Sequence, residues 1–259
     1  MQNNTFSTLF VGQNLIKLLA VDSTNNFLKE LLSKSEPLPE GTVIMADEQF
    51  SGRGQQQNSW QAEPGKNLTI SLFLKPNFIS LSQQFYLNMT ISLAIYYTLA
   101  KHLPDHLSIK WPNDIYYKNQ KIGGVLIENT VFGHHFKHAV IGIGLNINQQ
   151  HFEGHLQQKA TSMFQILNKA FNLEQLLSAL CSQIESLYLQ LKSKKYTNLQ
   201  QTYVSKLYQL ERPSIYRQNG EIFEGIIKGI TETGLLQLER NGKIEHYNFK
   251  EIEFLTQIQ

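Results

Sequence analysis

Three short segments combine glycine, cation and amide side chains beside apolar strands. They are Gln49-Phe50-Ser51-Gly52-Arg53-Gly54-Gln55-Gln56-Gln57-Asn58-Ser59-Trp60, Lys110-Trp111-Pro112-Asn113-Asp114 and Lys121-Ile122-Gly123-Gly124-Val125. Gly52 and Gly54 let backbone N–H groups approach an anion, and Arg53 adds a planar fork of donors. A surface loop with one exposed arginine has the same composition, so this segment alone decides nothing. It lacks the Gly-Lys-Ser/Thr ending of a P-loop and the glycine spacing of a dinucleotide fingerprint. Lys110 ends an apolar strand, and Pro112 fixes the turn that follows it. The spacing puts Lys110 and Lys121 on neighbouring strands across a hairpin at Lys118-Asn119-Gln120. Two ammonium groups so placed repel each other unless an anion lies between them. The chemistry expected is therefore binding of a polyphosphate, a carboxylate or both. A fourth segment, Gly142-Ile143-Gly144-Leu145-Asn146, is a weaker signal of the same kind.

Other chemistries lack support. His134, His135 and His138 crowd one turn, and His151 and His155 stand four apart, but no cysteine or acidic cluster completes a tetrahedral metal set. There is no G-x-S-x-G elbow. The single cysteine, Cys181, falls among Leu176, Leu177, Leu180 and Ile184 and reads as a buried helix residue.

The elements that must hold these segments follow from periodicity. Leu15 to Val21 reads as a strand, followed by a helix with Ser23 or Thr24 as N-cap. A strand is expected at Thr42 to Ala46. Leu68, Ile70, Leu72 and Leu74 alternate as in a strand with one buried face. A helix is expected from Ser80 to Leu103, then strands at Leu107–Lys110, Asp114–Lys118, Ile122–Val131 and Phe136–Asn148. Helices at Leu173–Leu191 and Asn198–Gln209 come next, and the helices at 80–103 and 173–191 should cover the sheet. After Glu211 the character changes: Asn219-Gly220, Thr233-Gly234 and Asn241-Gly242 punctuate short apolar runs, as hairpin turns do. The expectation is α/β (α+β), with a mixed, mainly antiparallel sheet packed with helices over residues 1–211 and a small β-barrel of about five strands over 212–259.

Composition narrows the class further. A net charge of +2 without a basic stripe argues against a nucleic-acid binder. No apolar run reaches a membrane span and no leader is visible, so the cytoplasm is the expected location.

Taken in order, these words resemble those of biotin protein ligases over nearly the whole chain. Ser23-Thr24-Asn25, Gln49 with Gly52-Arg53-Gly54 and Trp60, Lys110-Trp111-Pro112-Asn113-Asp114, Lys121 with Gly124, and Gly142-x-Gly144-x-Asn146 each match a family motif. Each is weak alone, and five in sequence are specific. The resemblance implies a class II synthetase-like catalytic fold and an SH3-like C-terminal barrel. It implies ATP-dependent activation of biotin to biotinyl-5′-AMP and transfer to a lysine of a biotin carboxyl carrier protein or carboxylase subunit. Lys121 and Arg53 would be catalytic. Ser23, Thr24, Asn25, Gln49, Gly52, Arg53, Gly54, Gln55, Lys121 and Gly124 would bind biotin. Arg53, Trp60, Lys110, Asn113, Asp114, Lys121 and Asn146 would bind the nucleotide, with Mg²⁺ near Asp114.

The sequence departs from the family where Gln55 and Gln56 occupy positions often arginine or another polar residue and Gln57 sits where glycine is usual. Lost charge and costly positive φ at glutamine predict a loop that releases the adenylate more readily. Only 22 residues precede Ser23, too few for the winged helix of the repressor members, so a monofunctional ligase without a DNA partner is expected. A homodimer is compatible with the reading. A lipoate or octanoate ligase or transferase and a non-catalytic adenylate-binding module are the alternatives. The Lys-Trp-Pro-Asn-Asp word disfavours the first, and Arg53 with both lysines disfavours the second.

Overall fold

The computed structural model describes residues 6–34, 37–55, 58–133, 135–154 and 156–255. Strand β1 (Leu15–Val21) runs parallel to β2 (Val43–Gln49), with helix α1 (Thr24–Ser33) as the crossover. All other pairings in this sheet are antiparallel: β2 with β3 (Leu68–Leu74), β3 with β7 (His135–Leu145), β7 with β6 (Gln120–Phe132), β6 with β5 (Asp114–Tyr117), and β5 with β4 (Leu107–Lys110). The strand order is β1-β2-β3-β7-β6-β5-β4.

Strand β3 corrects an expectation. All seven of its residues are buried, because the sheet is covered on both faces. Leu68, Ile70, Leu72 and Leu74 share a core with helix α2 (Gln84–Ala100), whereas Phe73 packs with Leu28 of α1, Ile44 and Val140. Helix α2 is apolar around its circumference, as a helix buried between two layers must be. It starts after a 3₁₀ turn, Leu81–Gln83, closed by a Ser80–Gln83 capping box. The main partner of α5 (Leu173–Lys192) is α2 rather than the sheet, so the two long helices form successive layers. Two short helices, α3 (Leu156–Lys159) and α4 (Met163–Leu167), precede α5, and α6 (Tyr196–Val204) follows it.

Beyond α6 the chain becomes a strap. Ile109 N donates to Lys206 O at 2.8 Å, Tyr208 N to Ile109 O at 2.9 Å, and Glu211 N to Ile227 O at 3.0 Å. Five strands follow: β8 (Pro213–Gln218), β9 (Glu221–Ile230), β10 (Leu236–Arg240), β11 (Lys243–Tyr247) and β12 (Glu253–Leu255). Their order is β11-β10-β9-β8-β12, so among the described residues the edges β11 and β12 do not pair and no hydrogen-bonded barrel closes. At the turns Asn219 and Gly220 have φ of 49° and 87°, and Asn241 and Gly242 have 52° and 74°, the doubly positive geometry that favours Asn-Gly.

Candidate active site

A cavity of about 570 Å³ opens where β2, β6, the glycine-arginine loop, the Lys110–Asp114 turn and the C-terminal sheet meet. At one end the walls are neutral and hydrogen-bonded. Ser23 is the N-cap of α1 by backbone conformation, but its side chain makes no cap bond. Gln49, at the end of β2, serves instead: its Oε1 accepts from Thr24 N at 2.7 Å and from Thr24 Oγ1 at 3.0 Å. Ser71 Oγ lies 2.7 Å from Thr24 Oγ1 and also contacts Asn25 Oδ1, while Asn25 Nδ2 donates to Glu128 at 2.8 Å. Ser23, Thr24, Asn25 and Gln49 thus form one wall, with Thr24 and Gln49 held rigidly.

Residues 52–55 and 58–60 fold back on each other. Gly54 N donates to Asn58 O at 2.6 Å, Trp60 N donates to Gly52 O at 2.9 Å, and Arg53 bridges Ser59. Two expectations change here. The Gly54 N–H is engaged within the loop rather than free for an anion. Gly52 lies outside the cavity wall, and its missing side chain permits close approach, since a Cβ there would stand 2.3 Å from Trp60 O. Arg53, Gly54 and Gln55 do line the cavity, whereas Gln56 and Gln57 lie outside the described residues. Trp60 lies on the backbone of Gly144, where a Cβ would come within 2.3 Å of the indole. Its buried indole N–H has no acceptor among the described residues.

At the other end the walls are charged. Lys110 and Lys121 are not on adjacent strands as expected, because β5 runs between β4 and β6. Asp114 of β5 stands opposite Lys110 in register, and its Oδ1 is 2.6 Å from Lys121 Nζ. Its carboxylate relieves part of the repulsion that spacing alone implied. Gly124 leaves room for this pair: a Cβ would lie 3.0 Å from Asp114 Oδ1 and 3.1 Å from Lys121 Nζ. Lys110 has no carboxylate within ion-pair distance among the described residues. Its Nζ lies 3.2 Å from Tyr116 Oη, 4.9 Å from the Tyr116 ring and 5.1 Å from the Phe254 ring. Burial holds its pKa below the usual lysine value, against the opposing pull of Asp114.

The turn between β4 and β5 is fixed from two sides: Asn88 Nδ2 and Tyr203 Oη donate to Pro112 O at 2.7 and 2.6 Å. Asn113, itself buried, donates to Val125 O at 2.5 Å, so it locks the turn while lining the cavity. Asn146 is not in the wall; it is buried and donates to Thr161 O at 3.1 Å. Lys159 and five residues of the C-terminal part, Phe249, Lys250, Ile252, Glu253 and Phe254, also line it. Periodicity gave no signal for these, nor for Ser71 or Glu128.

The cavity is lined by five cations (Arg53, Lys110, Lys121, Lys159 and Lys250) against two carboxylates, Asp114 and Glu253. It can hold more negative charge than it carries, next to a neutral pocket of amides and hydroxyls. A mixed sheet with this two-ended site suits a class of protein that brings a small acid and a polyphosphate together. Residues 18–146 match the Biotin/lipoate A/B protein ligase family. Residues 215–255 match the Biotin protein ligase C terminal domain, and the chain belongs to the biotin protein ligases. It is 29% identical over 248 residues to the bifunctional ligase/repressor BirA of Bacillus subtilis, covering 95% of this chain and 75% of that one. It is 28% identical to the biotin–[acetyl-CoA-carboxylase] ligase of Paracoccus denitrificans, covering 85% of this chain and 92% of the relative. The structure of the Aquifex aeolicus biotin protein ligase in complex with biotin and ATP superimposes with a TM-score of 0.79 at 25% identity, covering 93% of this chain and 97% of that one.

Proposed function

We propose that the chain joins biotin to ATP as biotinyl-5′-AMP and passes the biotinyl group to a lysine of a biotin carboxyl carrier protein or carboxylase subunit. The observation that carries this is the convergence of Arg53, Lys110 and Lys121 on one cavity whose other wall is the Thr24–Gln49–Ser71 network. Its volume of about 570 Å³ lies within the range of small-molecule pockets.

In the first step a biotin carboxylate oxygen attacks the α-phosphorus, the bond to the β-phosphate oxygen breaks, and pyrophosphate leaves. Two anions must meet, so fixed cations at the meeting point lower the barrier. Lys121, tied to Asp114 and facing Trp60 at 5.8 Å, neutralises the carboxylate and the α-phosphate; Arg53 and Lys110 take the remaining phosphate charge. In the second step a neutral lysine amine attacks the acyl carbon, AMP leaves with the bonding pair, and the amine proton passes to solvent. This needs only proximity, since the anhydride is already activated. The mixed anhydride hydrolyses in water, which gives the 52–60 loop its use as a cover.

Mg²⁺ fits as an ion brought in on the phosphates. Among the described residues no group of three or more His, Cys, Asp or Glu could hold a metal, and Asp114 supplies one carboxylate at the cavity. One or two protein carboxylates plus phosphates is the usual Mg²⁺ arrangement; when bound, the ion spreads the phosphate charge. We assign catalysis to residues 1–211 and place the reaction in the cytoplasm. Among the described residues no helix is long and apolar enough to cross a membrane.

Pyrophosphate exchange tests the reading. Exchange should depend on biotin and not on octanoate. Lys121→Ala should lower it by about 10²–10³-fold, the usual effect of removing one donor to developing charge. Exchange with octanoate but not biotin would favour the lipoate/octanoate reading, and none with any acid would favour a binding module.

A further inference from the structure

Glu128 sits on β6 two residues beyond Leu126 and four beyond Gly124, so it continues the row that lines the cavity. Its carboxylate is fully engaged. Oε2 accepts from Arg53 Nη2 at 2.6 Å and from Asn25 Nδ2 at 2.8 Å, and Oε1 is paired with Lys29. Burial pushes its pKa up, but the bonds from Lys29, Asn25 and Arg53 together outweigh that and hold it below the usual carboxylate value.

Two consequences follow from this geometry. Lys29 and Arg53 bring two positive charges to one carboxylate, so the cluster keeps a net positive charge and Arg53 stays available to an anion. Arg53 also uses one edge of its guanidinium here, and its other N–H groups have no partner among the described residues. Apart from this ion pair, the backbone bonds between Gly52 and Trp60 among the described residues are internal to the loop: Gly54 to Asn58, Asn58 to Gln55, Trp60 to Gly52, and the Arg53–Ser59 bridge. The carboxylate therefore orients the one cation of the loop and ties the loop to the sheet.

We propose that Glu128 is a positioning residue of the ligase reaction, acting through Arg53 to set how long the acyl-adenylate is retained. The inference rests on the adenylate reading above. Asn25 extends its reach, because it links the same carboxylate to Ser71, Thr24 and Gln49 in the acid pocket.

The test is a double-mutant cycle on adenylate release. The full-length protein is loaded with biotin and ATP, and escaping biotinyl-AMP is trapped by a bystander amine. Glu128→Ala should raise the escape rate about tenfold, the size of one charge-assisted hydrogen bond. Glu128→Gln should raise it less, since its amide oxygen still accepts from Arg53. In an Arg53→Ala background neither change should add to the escape rate, because the group through which Glu128 acts is gone. A merely structural role would not produce that non-additivity. Thermal melts check folding; should Glu128→Ala unfold, the near-isosteric Glu128→Gln carries the cycle. Unchanged escape in the folded variants, or a full added effect without Arg53, would overturn the proposal. A wild-type protein that forms no biotinyl-AMP would overturn the proposed function along with it.

Discussion

Lys110 is a cation kept in a poor solvent. Two aromatic rings and a tyrosine hydroxyl surround it, and among the described residues no carboxylate pairs with it, so an anion arriving from outside would stabilise its ammonium. Its lowered pKa has a definite sign for pH. Below the lowered value the ammonium is charged in the folded protein; between that value and 10.5 the unfolded chain binds the extra proton, so stability rises with pH there. Nucleotide binding follows the opposite trend, because deprotonation removes a phosphate partner. KM for ATP should therefore climb on the alkaline side starting below pH 10.5, the ordinary lysine value. Lys110→Arg, which stays charged, should flatten that climb. A climb of the same shape in the arginine variant would assign it to another group. The cations themselves were legible in the sequence because they stand beside glycine and proline in short words. Glu128 was not: its partners Arg53, Lys29 and Asn25 lie 75, 99 and 103 residues away, and a glutamate in an apolar strand looks like an outward-facing residue.

The elements explain which local readings survived. Strand existence was legible because apolar alternation is a local property; strand neighbours were not, because β5 has four residues and little pattern of its own. A strand at Asp114–Lys118 was expected, but its place between the strands of Lys110 and Lys121 was not, and that put the two lysines side by side and hid the role of Asp114. Strand β3 shows the same limit. The alternation of Leu68, Ile70, Leu72 and Leu74 is real, but α1 covers the opposite face, and that packing is not written in the strand. Its consequence is Ser71, fully buried and joining Thr24 to Asn25. Ser71→Ala should cost about 1–3 kcal/mol in unfolding free energy, the range for stranding buried polar partners. It should also raise KM for biotin more than KM for ATP, since the atoms it releases belong to the wall proposed to hold the acid. Equal effects on both substrates would mean that the serine serves the fold alone. The β6–β7 ladder carries a parallel case in Gly144, whose Cβ would collide with the Trp60 indole. Gly144→Ala should displace that ring and weaken ATP binding, as a nucleotide titration would show.

At the scale of the whole molecule the C-terminal sheet does more than follow the catalytic fold. Its Asn-Gly turns made it visible in the sequence, but where it docks is a long-range property that no local pattern carries. It lies against the Lys110–Asp114 turn: Trp111 Nε1 donates to Gly234 O at 2.9 Å, and Phe249 packs edge-on to Trp111 with centroids 6.1 Å apart. Gly234 is needed there, because φ is 92° and a Cβ would stand 2.2 Å from the Phe85 ring. This docking brings Phe254 over Lys110, so the charged end of the cavity is assembled from both parts of the chain, whereas its neutral end draws on α1, β2, β3, β6 and β7. The two substrates should accordingly respond differently to changes in β12. Phe254→Ala removes a ring from the Lys110 cage and admits water, which weakens the cation's hold on phosphate by screening it. KM for ATP should rise about three- to tenfold, the range for losing one cation–π contact at a desolvated site. KM for biotin should stay within about twofold on the same argument. Because the phenylalanine is on a three-residue edge strand rather than in the main core, the melt should remain a single transition. Parallel increases in both constants would show that the C-terminal sheet supports the whole site and not its nucleotide end.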